Sequence, residues 1–413
     1  MMAAPAISAG AESDDYLTGV CRLLWPPPAT AALVSRRSAS SPPAGREFIV
    51  LPGAARPKLI VPSGRRAAAA AVRRYGEPGS AKTMLGTRVL SIMLAAGLGS
   101  ALGGRMIVRG PGGAQTIGSV LAEMAGKPVE IGMHVGAARA NRKPVLQLLT
   151  EAGDTIGFAK IGINRLTADL VRDEHAALTR LGKAGLSHLR APAVLGRESW
   201  NGLEVLLLDA LPVWLKRMRL TDDRLAVALA ELASSTGTFR STLSESGYVE
   251  RLLGLLDGVD RHRADRHGAG ALRGLIIRLA EVAGGSILTF GCWHGDLTPW
   301  NLAYTSAGLL VWDWERFAVG VPVGFDALHY WLQARVVRPR CDPAEAAALC
   351  VAIAPELLAA LDVPPAQARL TALAYLAELS VRYLADRQAE AGARLGAPDR
   401  WLMPAIEAGI GQL

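Results

Sequence analysis

The stretch Cys292-Trp-His-Gly-Asp-Leu-Thr-Pro-Trp-Asn301 is followed, ten residues on, by Val311-Trp-Asp-Trp-Glu315. Gly295 and Pro299 keep His294, Asp296 and Asn301 in a loop rather than a helix or strand. An apolar run, Leu309-Leu-Val-Trp, delivers Asp313 at its end, seventeen residues after Asp296. An acid and an amide five apart in a rigid loop, with a second acid supplied by a neighbouring hairpin, meet the needs of phosphoryl transfer. One carboxylate must face an acceptor hydroxyl, and another carboxylate with an amide oxygen must hold Mg2+, a hard cation that prefers oxygen ligands.

N-terminal to this pair, three runs of strand length are separated by short turns: Pro128–Gly136, Arg142–Thr150 and Thr155–Ile161. They predict an antiparallel meander. A helix is expected over Asn164–Leu181, with Leu166, Leu170, Ala177, Leu178 and Leu181 at helical spacing and Gly182 as its stop. Leu203-Glu-Val-Leu-Leu-Leu predicts one more strand, and beyond Leu220 the pattern is helical except around residues 287–317. Ahead of the meander, Glu47–Leu51 and Lys58–Val61 read as strands, Arg65–Arg74 as an Ala-rich basic helix and Lys82–Leu102 as an apolar one. The expected division is a flexible lead over 1–45, a small α+β unit of unassigned role over 46–125, a sheet-rich lobe over 126–212 and a helical lobe over 213–413.

HGDLTPWN followed by VWDWE resembles the catalytic and metal-binding loops of the aminoglycoside phosphotransferase and choline kinase family, in which H-G-D-x-x-x-x-N precedes an apolar run ending in I/V-D-W/F-E. The agreement is close over 292–315 and looser over about 130–390, and residues 1–125 have no counterpart. The resemblance implies an α+β, two-lobed protein-kinase-like fold, with ATP and Mg2+ as cofactors. It makes Asp296 the catalytic aspartate, His294 the brace of its loop, and Asn301 and Asp313 the Mg2+ ligands. Lys160, late in the third strand, would hold the α- and β-phosphates, and Glu174 on the next helix would pair with it. Asp326 would cap a helix and buttress the catalytic loop. Leu206–Pro212 would be the hinge that reads adenine through backbone atoms of Asp209 and Leu211. The nucleotide-covering hairpin, Gly132-Met-His-Val-Gly136-Ala-Ala-Arg139, has two glycines but no G-x-G-x-x-G.

Composition sets the outer limits. The chain has 413 residues, of which 50% are hydrophobic and 20% charged, which excludes a disordered or fibrous protein. Residues 1–150 hold 18 Lys and Arg against 7 Asp and Glu, which leaves 27 against 30 for the rest, so the net charge of +8 belongs to the N-terminal third. Only four aromatics, Tyr16, Trp25, Phe48 and Tyr75, stand among those basic residues, too few for a base-stacking surface, which disfavours nucleic acid as a partner. Four cysteines without metal or disulfide spacing fit a reducing, cytoplasmic setting. Glu12, Asp14 and Asp15 stand where a signal peptide would need an apolar core. Val89–Gly104, sixteen uncharged residues, falls short of the roughly 20 apolar residues of a membrane span and reads as a buried helix. With Arg65, Arg66, Arg73, Arg74 and Lys82 before it, residues 65–105 leave a membrane-surface contact as the rival.

Five of nine tryptophans (Trp293, Trp300, Trp312, Trp314, Trp331) cluster around the two motifs; packing beneath the loop is expected of Trp293, Trp312 and Trp331, and a place near the site of Trp300. Cys292 reads as a small core residue. The function expected is transfer of the γ-phosphoryl group of ATP to a hydroxyl of a sugar, aminocyclitol or amino alcohol. The competing classes are a non-catalytic nucleotide-binding scaffold and a membrane-peripheral kinase acting on a glycan or lipid-linked acceptor.

Overall fold

The structure is a computed structural model, and it describes residues 13–34, 45–53, 57–76, 81–99, 104–136, 140–260 and 268–413. The chain divides into two compact units: residues 1–175 with 192–214, and residues 176–191 with 215–413.

The first unit is built on one antiparallel sheet. In chain order its elements are α1 (Ser13–Leu24), β1 (Thr30–Val34), β2 (Arg46–Leu51), β3 (Leu59–Pro62), α2 (Arg65–Gly76), α3 (Ala81–Ala95), β4 (Gly104–Arg109), α4 (Ile117–Met124), β5 (Glu130–His134), β6 (Val145–Leu149) and β7 (Thr155–Gly162). Helix α5 (Arg165–Ala184) follows, then β8 (Leu189–Arg190) in the second unit, and β9 (Val194–Trp200) and β10 (Leu203–Asp209) back in the first. The nine strands run in the order β1-β4-β2-β3-β5-β6-β7-β10-β9. The expected meander is β5-β6-β7, with Leu146 opposite Met133 and Ala159.

Strand alternation feeds two cores. Phe48, Val50, Ile60, Met106, Ile131, Met133, Leu146, Leu148, Ala159 and Ile161 meet α1 and α4 on one face. Ile49, Leu51, Leu59, Val61 and Leu149 meet the Ala67–Val72 stretch of α2 on the other. The alanine run of α2 lets its backbone lie close to the sheet: the position where Gly132 would carry a Cβ is 3.4 Å from the Ala71 methyl.

Three features differ from the sequence expectation. The apolar helix expected to be buried, α3, ends at Ala95 and leaves Leu85, Val89 and Ile92 exposed. Where 46–125 was expected as a unit by itself, β2, β3 and β4 hydrogen-bond into the same sheet as the meander, the join being Leu59 and Ile60 of β3 against His134 and Met133 of β5. The lead also contains structure: α1 buries Leu17, Val20 and Leu24 at helical spacing, and Trp25 packs on Phe48 with ring centroids 5.8 Å apart. Each fully buried leucine contributes about 1.5–3 kcal/mol, enough to order a short segment that hydropathy periodicity alone makes unremarkable. The rest of the expected lead, residues 1–12 and 35–44, lies outside the described residues.

The second unit is mainly helical: α6 (Asp222–Ser234), α7 (Tyr248–Asp260), α8 (Ala269–Ala283), α9 (Phe325–Val336), α10 (Pro343–Ala352), α11 (Ala354–Ala359), α12 (Pro365–Ala385) and α13 (Met403–Ile410). Helix α12 is buried over nearly its full length, from Ala368 to Leu384, and forms the centre of the bundle. Two three-stranded sheets carry the loops, β11 (Phe239–Thr242) with β12 (Ile287–Trp293) and β15 (Ala318–Pro322), and β13 (Leu302–Thr305) with β14 (Gly308–Val311) and β8. The mixed α+β fold read from the sequence, an antiparallel sheet followed by helices, is the fold of the chain. No helix among the described residues is long and apolar enough to cross a membrane.

Candidate functional site

In the second unit, β12 ends at Trp293 and the chain turns sharply into the His294–Asn301 loop. The turn needs glycine: Gly295 has φ +84°, and a Cβ there would lie 2.0 Å from the Arg316 carbonyl oxygen. The carboxylate of Asp326 fastens this turn, its oxygens accepting from the backbone N–H of His294 at 2.7 Å and of Gly295 at 3.3 Å. Asp326 buttresses the loop as the resemblance implies but does not cap its helix; Gly324, in the left-handed region at φ +114°, takes the N-cap position of α9. Burial pushes Asp326 up to about 7, against the pull of its two N–H donors.

His294 is buried and held at both ring nitrogens. The Asp296 N–H donates to Nδ1 at 3.1 Å, so Nε2 carries the proton and donates to the Trp312 carbonyl at 3.1 Å. Burial pulls its pKa down to about 4, and the ring stays neutral. It packs on Trp314 with ring centroids 4.4 Å apart. Its contacts bridge the two motifs.

Asp296 is gripped at both carboxylate oxygens. His329 Nε2 lies 3.1 Å from Oδ1, and Asn301 Nδ2 donates to Oδ2 at 3.0 Å and to the Asp296 carbonyl at 2.9 Å. Desolvation raises the carboxyl pKa, but the hydrogen bond with His329 and the charge of Arg382 outweigh it, and the net shift is downward. With 37% of its side chain open, Asp296 is an oriented and accessible carboxylate. His329 escaped the sequence reading. It lies on α9 three residues after Asp326, so both side chains leave the helix on the loop side, and its Nδ1 meets the Tyr375 hydroxyl of α12 at 3.0 Å. The only sequence signal was that spacing from Asp326.

With its Nδ2 committed to Asp296, Asn301 has Oδ1 left for a cation. Its backbone carbonyl accepts from the Trp312 N–H at 3.1 Å, which ties the loop to the end of β14. Asp313 follows at once with φ +75°, a backbone state rare for a residue with a side chain and often found at functional positions. Carboxylate oxygens of Asp313 and Glu315 lie within 4.8 Å of each other. Asp313 and Glu315 offer carboxylate oxygens and Asn301 an amide oxygen, the hard-oxygen donor chemistry that Mg2+ prefers. Of the tryptophans expected to pack beneath the loop, Trp293 is buried and Trp312 and Trp331 are half-buried; Trp314 is buried as well, and Trp300 is 41% exposed. Cys292 is buried, its thiol donating to the Leu232 carbonyl at 2.9 Å.

In the first unit, Lys160 on β7 and Glu174 on α5 meet: Nζ lies 2.7 Å from Oε1 and 2.6 Å from Oε2, and the Glu174 side chain is fully buried. The strand places Lys160 on the face opposite Ala159 and Ile161, and Leu170 lies one helical turn before Glu174. At the end of β10, Asp209 is pinned to Ala193, its N–H donating to the Ala193 carbonyl at 2.9 Å and its Oδ1 accepting from the Ala193 N–H at 2.6 Å. The Leu211 carbonyl accepts from the Val213 N–H at 2.8 Å and from Arg74 at 3.3 Å. Of the covering hairpin, Ala137, Ala138 and Arg139 lie outside the described residues.

No family model matches the chain, and no curated protein matches it. Among solved structures it is similar to a putative fructosamine-3-kinase from Haemophilus somnus, at 17% identity over 72% of this chain and 96% of that one, with a TM-score of 0.42. It is similar to the choline kinase LicA from Streptococcus pneumoniae, at 13% identity over 66% and 90% of the two chains and a TM-score of 0.41. It is also similar to a thermostable mutant of the aminoglycoside phosphotransferase APH(4)-Ia in complex with ADP and hygromycin B, at 12% identity over 72% and 98% of the two chains and a TM-score of 0.47.

Proposed function

We propose that the chain is an ATP- and Mg2+-dependent small-molecule kinase that transfers the γ-phosphoryl group to a hydroxyl of a sugar, aminocyclitol or amino alcohol. The observation that carries this reading is the state of Asp296: an accessible carboxylate with a lowered pKa, held at both oxygens, in a loop joined through Asn301 and Trp312 to the turn that presents Asp313.

In this reading Asp296 accepts a hydrogen bond from the acceptor hydroxyl and aims a lone pair of that oxygen at the γ-phosphorus. The new O–P bond forms as the bond to the β–γ bridging oxygen breaks, ADP leaves with that electron pair, and the hydroxyl proton passes to an Asp296 carboxylate oxygen. Asn301 Oδ1 and the Asp313 carboxylate would hold Mg2+, which when bound neutralises charge on the phosphates. Lys160, fixed by Glu174, would hold the α- and β-phosphates. Asp209 and Leu211 would border the base. Because the transition state is loose, positioning and charge neutralisation supply most of the rate.

The test is ATP consumption screened across sugars, amino alcohols and aminoglycosides, with Asp296→Ala as the blank. Asp296→Ala abolishes turnover while ATP still binds, and Asp313→Ala loses metal-dependent nucleotide binding. Full activity of Asp296→Ala on an identified acceptor refutes the assignment, and absence of turnover in the wild type with nucleotide binding intact favours the scaffold. One observation supports a membrane-peripheral form of the same kinase: α3 exposes Leu85, Val89 and Ile92 along one face beside the basic Arg88. Sedimentation with anionic liposomes that leaves all protein in the supernatant removes that form.

A further inference from the structure

The basic helix α2 has no part in the reading above, yet one of its residues reaches the segment assigned to the base. Arg74, in the last turn of α2, donates to the Leu211 carbonyl at 3.3 Å. Its guanidinium lies 5.2 Å from the ring centroid of Phe158 and 5.7 Å from that of Trp214. Phe158 stands two residues before Lys160 on β7, so both project from the same face of the sheet. Trp214, three residues past Leu211, is 52% exposed. A planar, delocalised group thus sits against an aromatic face while its N–H bonds a backbone carbonyl at the end of β10. Those are the two interactions a purine base would require here, stacking and donation from an amino group. The carbonyl has a second donor as well, the Val213 N–H at 2.8 Å, so it has no lone pair to spare for an incoming amino group. Helix α2 cannot drift away from this position, because Ala67–Val72 are buried against the sheet.

We propose that Arg74 is a specificity-determining residue that competes with the purine base for the Phe158 face and the Leu211 carbonyl, so that the chain selects its phosphoryl donor by the phosphates and hardly by the base. The inference rests on the nucleotide-binding reading given above. A base enters only when the arginine side chain swings off, and the exchange of one set of contacts for the other cancels most of the affinity the base would add. The N-terminal third then has a role in the site: it supplies the group that makes the base count for little.

The experiment measures equilibrium binding of ATP, GTP and tripolyphosphate to the full chain by calorimetry with Mg2+, for the wild type, Arg74→Ala, Arg74→Gln and Lys160→Met. The wild type binds ATP and GTP within about threefold of each other and ATP within about tenfold of tripolyphosphate. Arg74→Ala binds ATP about tenfold more tightly, which corresponds to about 1.4 kcal/mol, with tripolyphosphate unchanged. Arg74→Gln, which keeps the stem and one amide donor, falls between and guards against a packing defect in the alanine variant. Tighter binding of tripolyphosphate and ATP alike, unchanged ATP affinity, or weaker ATP binding in folded Arg74→Ala each overturns the proposal. Failure of the nucleotide reading looks different: Lys160→Met then leaves every affinity unchanged, or none of the three ligands binds any variant, and the proposal falls with it.

Discussion

Removing the imidazole of His329 should move the pH dependence of catalysis, and the size of the move follows from the geometry. His329 Nε2 lies 3.1 Å from Asp296 Oδ1, and burial lowers the pKa of the ring, so it serves as a neutral donor to an ionised acceptor. A hydrogen bond to a charged group is worth about 1.5–3 kcal/mol, and about 1.4 kcal/mol corresponds to one pKa unit. His329→Leu should therefore raise the Asp296 pKa by about 1–2 units. In the proposed mechanism Asp296 works as its carboxylate, so activity falls as pH drops through its pKa, and the variant's acidic limb must lie at higher pH. The assay is kcat/KM against pH on the acceptor found in the consumption screen. His329→Gln, whose amide can donate to Asp296 and accept from the Tyr375 hydroxyl, should restore the limb toward its original place. A His329→Leu enzyme that loses rate uniformly at all pH values, with its limb unmoved, would refute the claim that His329 sets the charge state of the base.

The buttress has a pH signature of its own. Asp326 is raised to about 7, so its protonated form stabilises the fold below about pH 4 and that contribution is lost as pH rises toward 7, whereas His294, lowered to about 4, removes stability as pH falls from about 6.5 to 4. The two trends oppose each other over the same window. Asp326→Asn, which removes one of them, should melt more steeply with acidification than the wild type between pH 6.5 and 4; parallel Tm profiles would contradict the assignment. Gly295→Ala should cost several kcal/mol or abolish folding, since its Cβ would overlap the Arg316 carbonyl, and near-native denaturant midpoints would show that the turn can relax. Glu174→Gln should weaken Mg-nucleotide binding, because Lys160 loses a charged partner at 2.6 Å, while melting shifts by only a few degrees; binding equal to wild type would exclude the pair from phosphate recognition.

The site was legible in the sequence where chemistry is local. His294, Asp296, Asn301 and Asp313 occur within twenty residues, and the hydrogen bonds among them span the same short distance in the chain. Lys160 and Glu174 were legible because a strand and the following helix bring residues fourteen apart together by simple alternation and periodicity. His329 and Tyr375 were not, since their contacts with Asp296 and with each other cross 33 and 46 residues and depend on how α9 packs against α12. The same limit applies to the fold. Runs such as Glu47–Leu51 read as strands, but nothing in an apolar alternation names its partner, so the pairing of β3 with β5 that merges two expected units into one sheet was invisible. Helix α5 likewise runs past Gly182 to Ala184, because a glycine ends a helix only where the chain takes the left-handed turn, which here falls at Gly185 with φ +66°.

The positive charge of the N-terminal third also changes meaning once partners are visible. As a composition it invited an anionic surface or polymer as the counterpart. Much of it is answered inside the first unit instead: Arg46 pairs with Glu130 at 3.0 Å, Arg105 with Glu47 at 3.0 Å, and the Arg142 guanidinium lies 3.6 Å from the ring centroid of Tyr16. Arg46 joins β2 to β5, and Arg142 joins the β5–β6 connection to α1. Those two contacts link the added N-terminal elements to the meander that carries Lys160, and the Arg105–Glu47 pair ties β4 to β2. These arginines act as cross-links of an extended sheet, while Arg22, Lys58, Arg109 and Lys127 are exposed, as are arginines of α2 and α3. Arg74 differs from these: its guanidinium meets the Leu211 carbonyl and the rings of Phe158 and Trp214, the segment proposed to border the base.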